Sequence, residues 1–189
     1  MSFDRQKVEA AVRMLLEGVG ADPDSPQLAE TPVRVAAMYA EVLWGMDKKA
    51  ADVVKVLKAE RYDEMVLVKN IPFYSLCEHH LLPFHGHTHV AYIPDGNRIT
   101  GLSKLARVVE LYARRLQLQE RMTSQIADGL VQTLAPKGVM VVVQAEHLCM
   151  TMRGAQKPGA ITVTSVVRGI FRENPATRAE AIALIEHTG

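Results

Sequence analysis

The sequence predicts an α+β fold, and three observations carry the prediction. Apolar residues recur at helical spacing through the N-terminal quarter; runs rich in β-branched and aromatic residues begin near Met65 and return after Val139; and two long helical patterns lie between the two sets of strands. Helices, strands, two helices, strands and a short helix do not make the strict alternation of a parallel βαβ sheet. Antiparallel strands with helices gathered on one face are therefore expected.

Val8, Val12, Leu15, Leu16 and Val19 put one apolar stripe on a helix from about residue 4 to residue 18. Asp22-Pro23 and Ser25-Pro26 interrupt that pattern and make Gly20 to Glu30 a loop. Thr31 reads as an N-cap with Pro32 at the first helical position, where a missing N–H costs nothing; Val35, Met38, Tyr39 and Val42 then share a face as far as Gly45. The first quarter is thus a helical pair, and residues 1–60 are expected to extend a main domain over residues 61–189. Strands are predicted over Met65–Val68, Ile71–Leu76 and Gly86–Ile93, followed by a turn at Pro94-Asp95-Gly96-Asn97. Leu105, Val108, Val109 and Tyr112 mark a helix from about Ser103 to Arg115, and Met122, Ile126, Leu130 and Leu134 another from about Gln119 to Ala135. Strand character returns over Val139–Met150 and Ile161–Arg168. Thr177 with Glu180 forms a capping box for a short last helix containing Ile182, Leu184 and Ile185.

With 189 residues, 48% of them hydrophobic, the chain can bury the core of one domain. Twenty-two Lys and Arg against 21 Asp and Glu leave a formal charge of +1, so no global field favours nucleic acid or an anionic membrane. Any anion must be recognised locally. No apolar run approaches the roughly 20 residues that span a bilayer, and MSFDRQKVEA has neither a signal-peptide core nor transit-peptide character. A cytoplasmic protein without nucleic-acid or membrane partners is expected.

Cys77 and Cys149 are the only cysteines, too few to staple a secreted scaffold. Five of the seven histidines, His79, His80, His85, His87 and His89, fall beside Cys77, and His147 precedes Cys149 by two residues. Cys77 and His80, three apart, suit a tight turn or one helical turn, and such a local pair commonly supplies half of a zinc site. Along a strand, side chains at i and i+2 share a face, so Val139, Val141, Val143, Ala145, His147 and Cys149 are expected to form one stripe ending in an imidazole and a thiol. Zinc prefers tetrahedral sulfur and nitrogen donors, and a catalytic site keeps three protein ligands with a fourth place for water. Two cysteines and one histidine match that count. Spacing leaves the histidine open between His79 and His80, and leaves a closed two-Cys, two-His structural site open as well. Lone cysteines in a reducing compartment are also commonly small buried hydrophobes; it is the histidine clustering that favours a metal. His85, His87 and His89 alternate along a strand and read as a polar face with ordinary hydrogen bonds.

Ser103-Lys104-Leu105-Ala106-Arg107 opens a helix, so Lys104 and Arg107 stand where a helix N-terminus also favours anions, although such pairs are common on any solvated face. Arg153 follows the Cys149 cluster closely. Gln117, Gln119, Glu120 and Arg121 crowd the next helix start, where a carboxylate can read a donor edge or simply cap the helix.

These pieces together resemble the GTP cyclohydrolase I family. The resemblance runs through Cys77-Glu78-His79-His80-Leu81-Leu82-Pro83-Phe84, His89-Val90-Ala91-Tyr92-Ile93-Pro94, Gly101-Leu102-Ser103-Lys104-Leu105-Ala106-Arg107, Gln117-Leu118-Gln119-Glu120-Arg121 and His147-Leu148-Cys149-Met150-Thr151-Met152-Arg153-Gly154, with Glu30-Thr31-Pro32-Val33-Arg34-Val35 as a helix start. It covers about residues 30–185. The resemblance implies that Cys77, His80 and Cys149 hold one Zn2+ per subunit, that His79 and His147 are acid/base histidines, and that Ser103 is a catalytic-site serine. It further implies that Gln119 and Glu120 recognise guanine and that Lys104, Arg107, Arg153 and Arg34 contact the triphosphate. Where some members carry another phosphate-contacting lysine, this chain has Ala37. The implied reaction opens the imidazole ring of GTP with a metal-activated water, releases formate and yields 7,8-dihydroneopterin triphosphate for folate or pterin synthesis. The implied fold is the tunnelling fold, an antiparallel sheet backed by two helices, assembled as a homodecamer of two pentamers with sites shared between subunits. Two other readings compete: a metal-free relative on the same fold with a cysteine nucleophile, and a non-enzymatic zinc-stabilised binding module.

Overall fold

A computed structural model describes residues 3–58 and 62–187. The elements are α1 (Arg5–Gly18), α2 (Thr31–Val42), α3 (Ala50–Val53), β1 (Leu57–Lys58), β2 (Val66–Cys77), β3 (Pro83–Ile93), β4 (Arg98–Ile99), α4 (Leu102–Ala113), β5 (Leu116–Gln117), α5 (Gln119–Leu134), β6 (Gly138–His147), α6 (Leu148–Thr151), β7 (Ile161–Gly169), α7 (Ile170–Glu173) and α8 (Pro175–Glu186). The mixture of helices and a largely antiparallel sheet is the α+β class expected.

The main sheet has the order β5-β2-β3-β6-β7, and a separate pair joins β1 to β4. β2, β3, β6 and β7 are antiparallel neighbours. β5 departs from the expected pattern: it runs parallel to β2, pairing Leu76 with Leu116 and Cys77 with Gln117. Two residues are too short to show a period, and this strand brings the start of α5 against the end of β2.

One face of the sheet sends Ile71, Phe73, Phe84, Val90, Val141 and Val143 into a core shared with Leu105 and Val108 of α4 and Met122, Ile126 and Leu130 of α5. Ala50 and Val54, beside α3, enter the same core. The opposite face carries Ala91, Ile93, Met140 and Val142, which meet Phe171 and Ala181 of α7 and α8. Both faces of β6 are therefore covered near Val139–Val143, which is why that run is continuously apolar rather than alternating.

Several elements end elsewhere than the sequence predicts. β2 is one strand where a break was expected at Lys69-Asn70: the ladder slips between Val68 and Ile71, Asn70 takes a left-handed φ of 58°, and its N–H donates to His89 Nδ1 at 3.3 Å. Thr31 is the first residue of α2, with Glu30 at the cap. Gly45 lies beyond α2 and serves close approach, since a Cβ there would sit 2.1 Å from the Leu111 carbonyl oxygen. α8 begins at Pro175 under an Asn174 cap that accepts from the N–H groups of Ala176 and Thr177, so the Thr177/Glu180 box is inside the helix. β6 stops at His147, and the expected strand over Leu148–Met150 is instead the helical turn α6. Among the described residues no helix is long and apolar enough to cross a membrane.

Candidate metal centre and active site

The site is built where β2 and β6 end and β3 begins, beside the start of α5. Cys77 closes β2, and the chain then turns sharply: the N–H groups of His80 and Leu81 reach the Cys77 carbonyl at 3.4 and 2.8 Å, and the Cys77 N–H reaches Leu82 O at 2.9 Å. Leu81 supplies the left-handed conformation, φ 54°, that such a reversal requires. The turn folds His80 back on its own start, with Nδ1 3.8 Å from Cys77 Sγ. Across from it, α6 carries Cys149. The donor atoms of Cys77, His80 and Cys149 all lie within 4.8 Å of one another. His147 and Cys149 do not share a strand face as expected; the chain becomes helical directly after His147, and that rotation turns Cys149 toward Cys77.

This donor set fits a metal ion. Two thiols and an imidazole are the ligands zinc takes, and an ion with bonds of about 2.0–2.3 Å bridges donors spread nearly this far. Burial and the facing Cys77 thiol push the Cys149 thiol above its ordinary pKa, with Arg153 pulling weakly the other way. A cation held here would displace the Cys149 thiol proton.

Around this centre lies a cavity of about 250 Å3 whose lining includes Cys77, His79, Gln119, Glu120, His147 and Cys149. His147 is half-buried and lies flat on Phe84, ring centroids 4.5 Å apart and planes 2° from parallel, while its Nε2 is 2.7 Å from Gln119 Oε1. Burial lowers the pKa of this imidazole and the Glu120 charge opposes the shift. His79 is exposed at the rim with Nε2 4.0 Å from Glu78 Oε1. Glu78 is ion-paired to Arg121, which holds its carboxyl below the usual range. Arg121 is anchored in turn by Gln117 Oε1 at 3.1 Å and Leu116 O at 2.9 Å.

Not every expected site residue converges. Arg153 donates to His80 Nε2 at 3.2 Å and to Cys149 O at 3.5 Å. Ser103, Lys104 and Arg107 sit in the first turns of α4 and Arg34 on α2, and none of the four lines this cavity. Gln119 is buried and its amide is bonded within the protein, leaving Glu120 as the exposed member of that pair. The sequence assigns no role to Phe84, Glu78 or Arg121. All three stand inside the quoted motifs, but no spacing pairs Glu78 with Arg121, 43 positions apart. His85 stacks on Tyr74 at 5.4 Å.

The sequence matches the GTP cyclohydrolase I family over residues 8–186. The chain belongs to that family. It is 60% identical over 184 residues to GTP cyclohydrolase 1 of Carboxydothermus hydrogenoformans, covering 97% of this chain and 96% of the relative. It is 57% identical to the enzyme of the same name from Pelotomaculum thermopropionicum, with 97% and 98% covered, and 56% identical to that of Bacillus subtilis, with 97% and 96% covered. The GTP cyclohydrolase I match takes in both His/Cys clusters and every residue of the cavity.

Proposed function

We propose that this chain is a GTP cyclohydrolase I, opening the guanine imidazole ring of GTP by hydrolysis, releasing formate and forming 7,8-dihydroneopterin triphosphate, the first step of folate or pterin biosynthesis. The observation that carries the reading is the convergence of Cys77, His80 and Cys149 beside a cavity that also holds His147 and Glu120. Cys77, His80 and Cys149 would hold a zinc ion, His79 remaining unligated. When bound, zinc supplies Lewis acidity that lowers the pKa of water toward about 7.

The chain's own groups do the rest. Glu120, exposed at the start of α5, accepts from the donor edge of guanine. His147, fixed on Phe84 next to the metal ligands, exchanges the proton at the ring nitrogen adjoining the attacked carbon, help that typically contributes about 10²–10⁴ in rate. His79, at the rim with Glu78 behind it, acts on the ribose. Ser103 serves the catalytic site, and Lys104, Arg107, Arg34 and Arg153 bind the triphosphate.

A cavity of about 250 Å3 is below the roughly 300–1,000 Å3 of small-molecule sites, and the assigned residues of α4 and α2, Ser103, Lys104, Arg107 and Arg34, lie outside it. Both facts support a homo-oligomer, a decamer of two pentamers, in which α4 or α2 of a neighbour completes each site. β7 supports it too, as an edge strand exposing Ile161 and Val163. In this reading residues 61–189 form the catalytic tunnelling-fold unit, two helices backing its sheet, and residues 1–60 a helical extension whose α3 docks into the shared core. The free cysteines suit a cytoplasmic setting.

Family membership and the three-donor cluster favour this over a metal-free cysteine-nucleophile relative. A zinc-stabilised binding module is tested directly: the protein is incubated with GTP while formate and pterin absorbance are followed. Production of both is expected, and His147→Ala should stop ring opening while leaving metal content intact. Intact GTP with a metal-loaded protein would remove the enzymatic reading, and loss of metal in His147→Ala would make that residue a ligand.

A further inference from the structure

Gln119, the first residue of α5, is only 2% exposed. Its amide nitrogen donates to Val143 O at 3.1 Å, to Thr162 O at 3.0 Å and to Thr164 Oγ1 at 3.2 Å. Backbone carbonyls can only accept, so the nitrogen must face β6 and β7, and Oε1 must face His147 at 2.7 Å. An amide oxygen also can only accept. His147 therefore carries a proton on Nε2, and the neutral ring keeps its lone pair on Nδ1. Phe84 fixes the plane of the imidazole and Gln119 fixes its rotation within that plane. The Thr164 hydroxyl is itself held by Thr123 Oγ1 at 2.7 Å, so the chain of contacts ends in the core.

We propose that Gln119 is a positioning residue for His147 and not a side-chain donor to guanine: it holds the imidazole in one orientation and one tautomer, leaving Nδ1 as the atom that exchanges a proton with the substrate. An amide that donated to a base would present free hydrogens to the cavity, whereas both hydrogens of Gln119 are already matched by three acceptors. Glu120, next in the chain and exposed, is the residue free to read the base. The role of Gln119 in turnover rests on the GTP reading above; its effect on the imidazole does not.

The test joins steady-state kinetics to magic-angle-spinning 15N spectra of histidine-labelled, metal-loaded protein, with the His147 signals assigned by their loss in His147→Asn. The resting protein should show a single Nε2-protonated His147. In Gln119→Leu that signal should become a mixture of tautomers, with kcat down about 10- to 100-fold and KM for GTP within about threefold, the cost of a misplaced acid/base group. Thr164→Val removes one of the three acceptors without touching the cavity and should give a smaller fall in kcat at unchanged KM. A raised KM with kcat retained would restore Gln119 to base binding, and a His147 signal unaltered in Gln119→Leu would overturn the positioning role. If the wild-type protein releases no formate from GTP the functional reading falls, while the spectra still decide what Gln119 does to His147.

Discussion

Replacing Thr88 by valine is expected to stabilise the protein. Thr88 lies on β3 opposite Ile71 and Val143, is fully buried, and its hydroxyl has no hydrogen-bond partner among the described residues. A buried unpaired hydroxyl costs about 1–3 kcal/mol, and valine keeps the shape while removing the orphaned group, so a gain of about 1–3 kcal/mol follows. For a chain of this size each kcal/mol moves Tm by about 2–4 °C. Thr123 provides the internal comparison, since it is equally buried but its hydroxyl meets Gln119 O and Thr164 Oγ1, both at 2.7 Å. Thr123→Val should therefore cost about 0.5–1.5 kcal/mol. Urea unfolding of both variants, metal-loaded and at one protein concentration, reads the two signs. Shifts in the same direction, or a Thr88→Val that is neutral or worse, would refute the account of this core.

His89 makes stability depend on pH: burial, then the charges of His87 and Lys69, push its pKa below the ordinary value near 6.5. The unfolded chain thus takes the proton first, so stability is complete above about pH 6.5 and is lost as pH falls toward the depressed folded value. His89→Gln should lessen the loss of urea midpoint between about pH 7 and pH 5.5; an unaltered loss would clear His89 of the effect. Gly86→Ala would place a Cβ 1.9 Å from Gln144 O and 2.7 Å from Ala145 Cα. Those are backbone atoms that cannot yield, so the cost should exceed the usual 1–3 kcal/mol, roughly, of overpacking and appear as lost soluble yield; a normally folded variant would contradict the close approach of β3 and β6. Glu120→Ala should raise KM for GTP about 10- to 100-fold, matching about 1.5–3 kcal/mol for hydrogen bonds to a charged group, at unchanged metal content; retained selectivity for guanine would refute its assignment.

Much of this molecule is legible as period. α4 and α5 announce themselves because each buries one face for long enough to repeat, β6 because it is apolar on both faces, and α1 by a repeat of apolar residues of which none is buried. Elements of two to four residues, such as β5 and α6, are too short to repeat, yet they decide the site. β5 carries the start of α5 to the end of β2, and α6 turns Cys149 toward Cys77 where a continuing strand would have set it beside His147. The choice of His80 over His79 as neighbour of Cys77 depends on the left-handed Leu81, which no residue preference announces, since leucine rarely adopts that conformation. The burial of Gln119 depends on the register of β6 against β7, through Val143 and Thr164, and register cannot be read from composition. The cationic residues of α2 and α4 were legible as charges, but a single chain does not bring them to the cavity.

The central claim is that Cys77, His80 and Cys149 hold a zinc ion on which opening of the guanine ring of GTP depends. Elemental analysis of the protein, repeated after chelation and after stepwise return of zinc, with formate release from GTP measured on each sample, tests it most directly. One zinc per chain, activity lost with the metal and restored in proportion to it, and no bound zinc in Cys149→Ser are the results expected. Full formate release from metal-stripped protein would contradict the account.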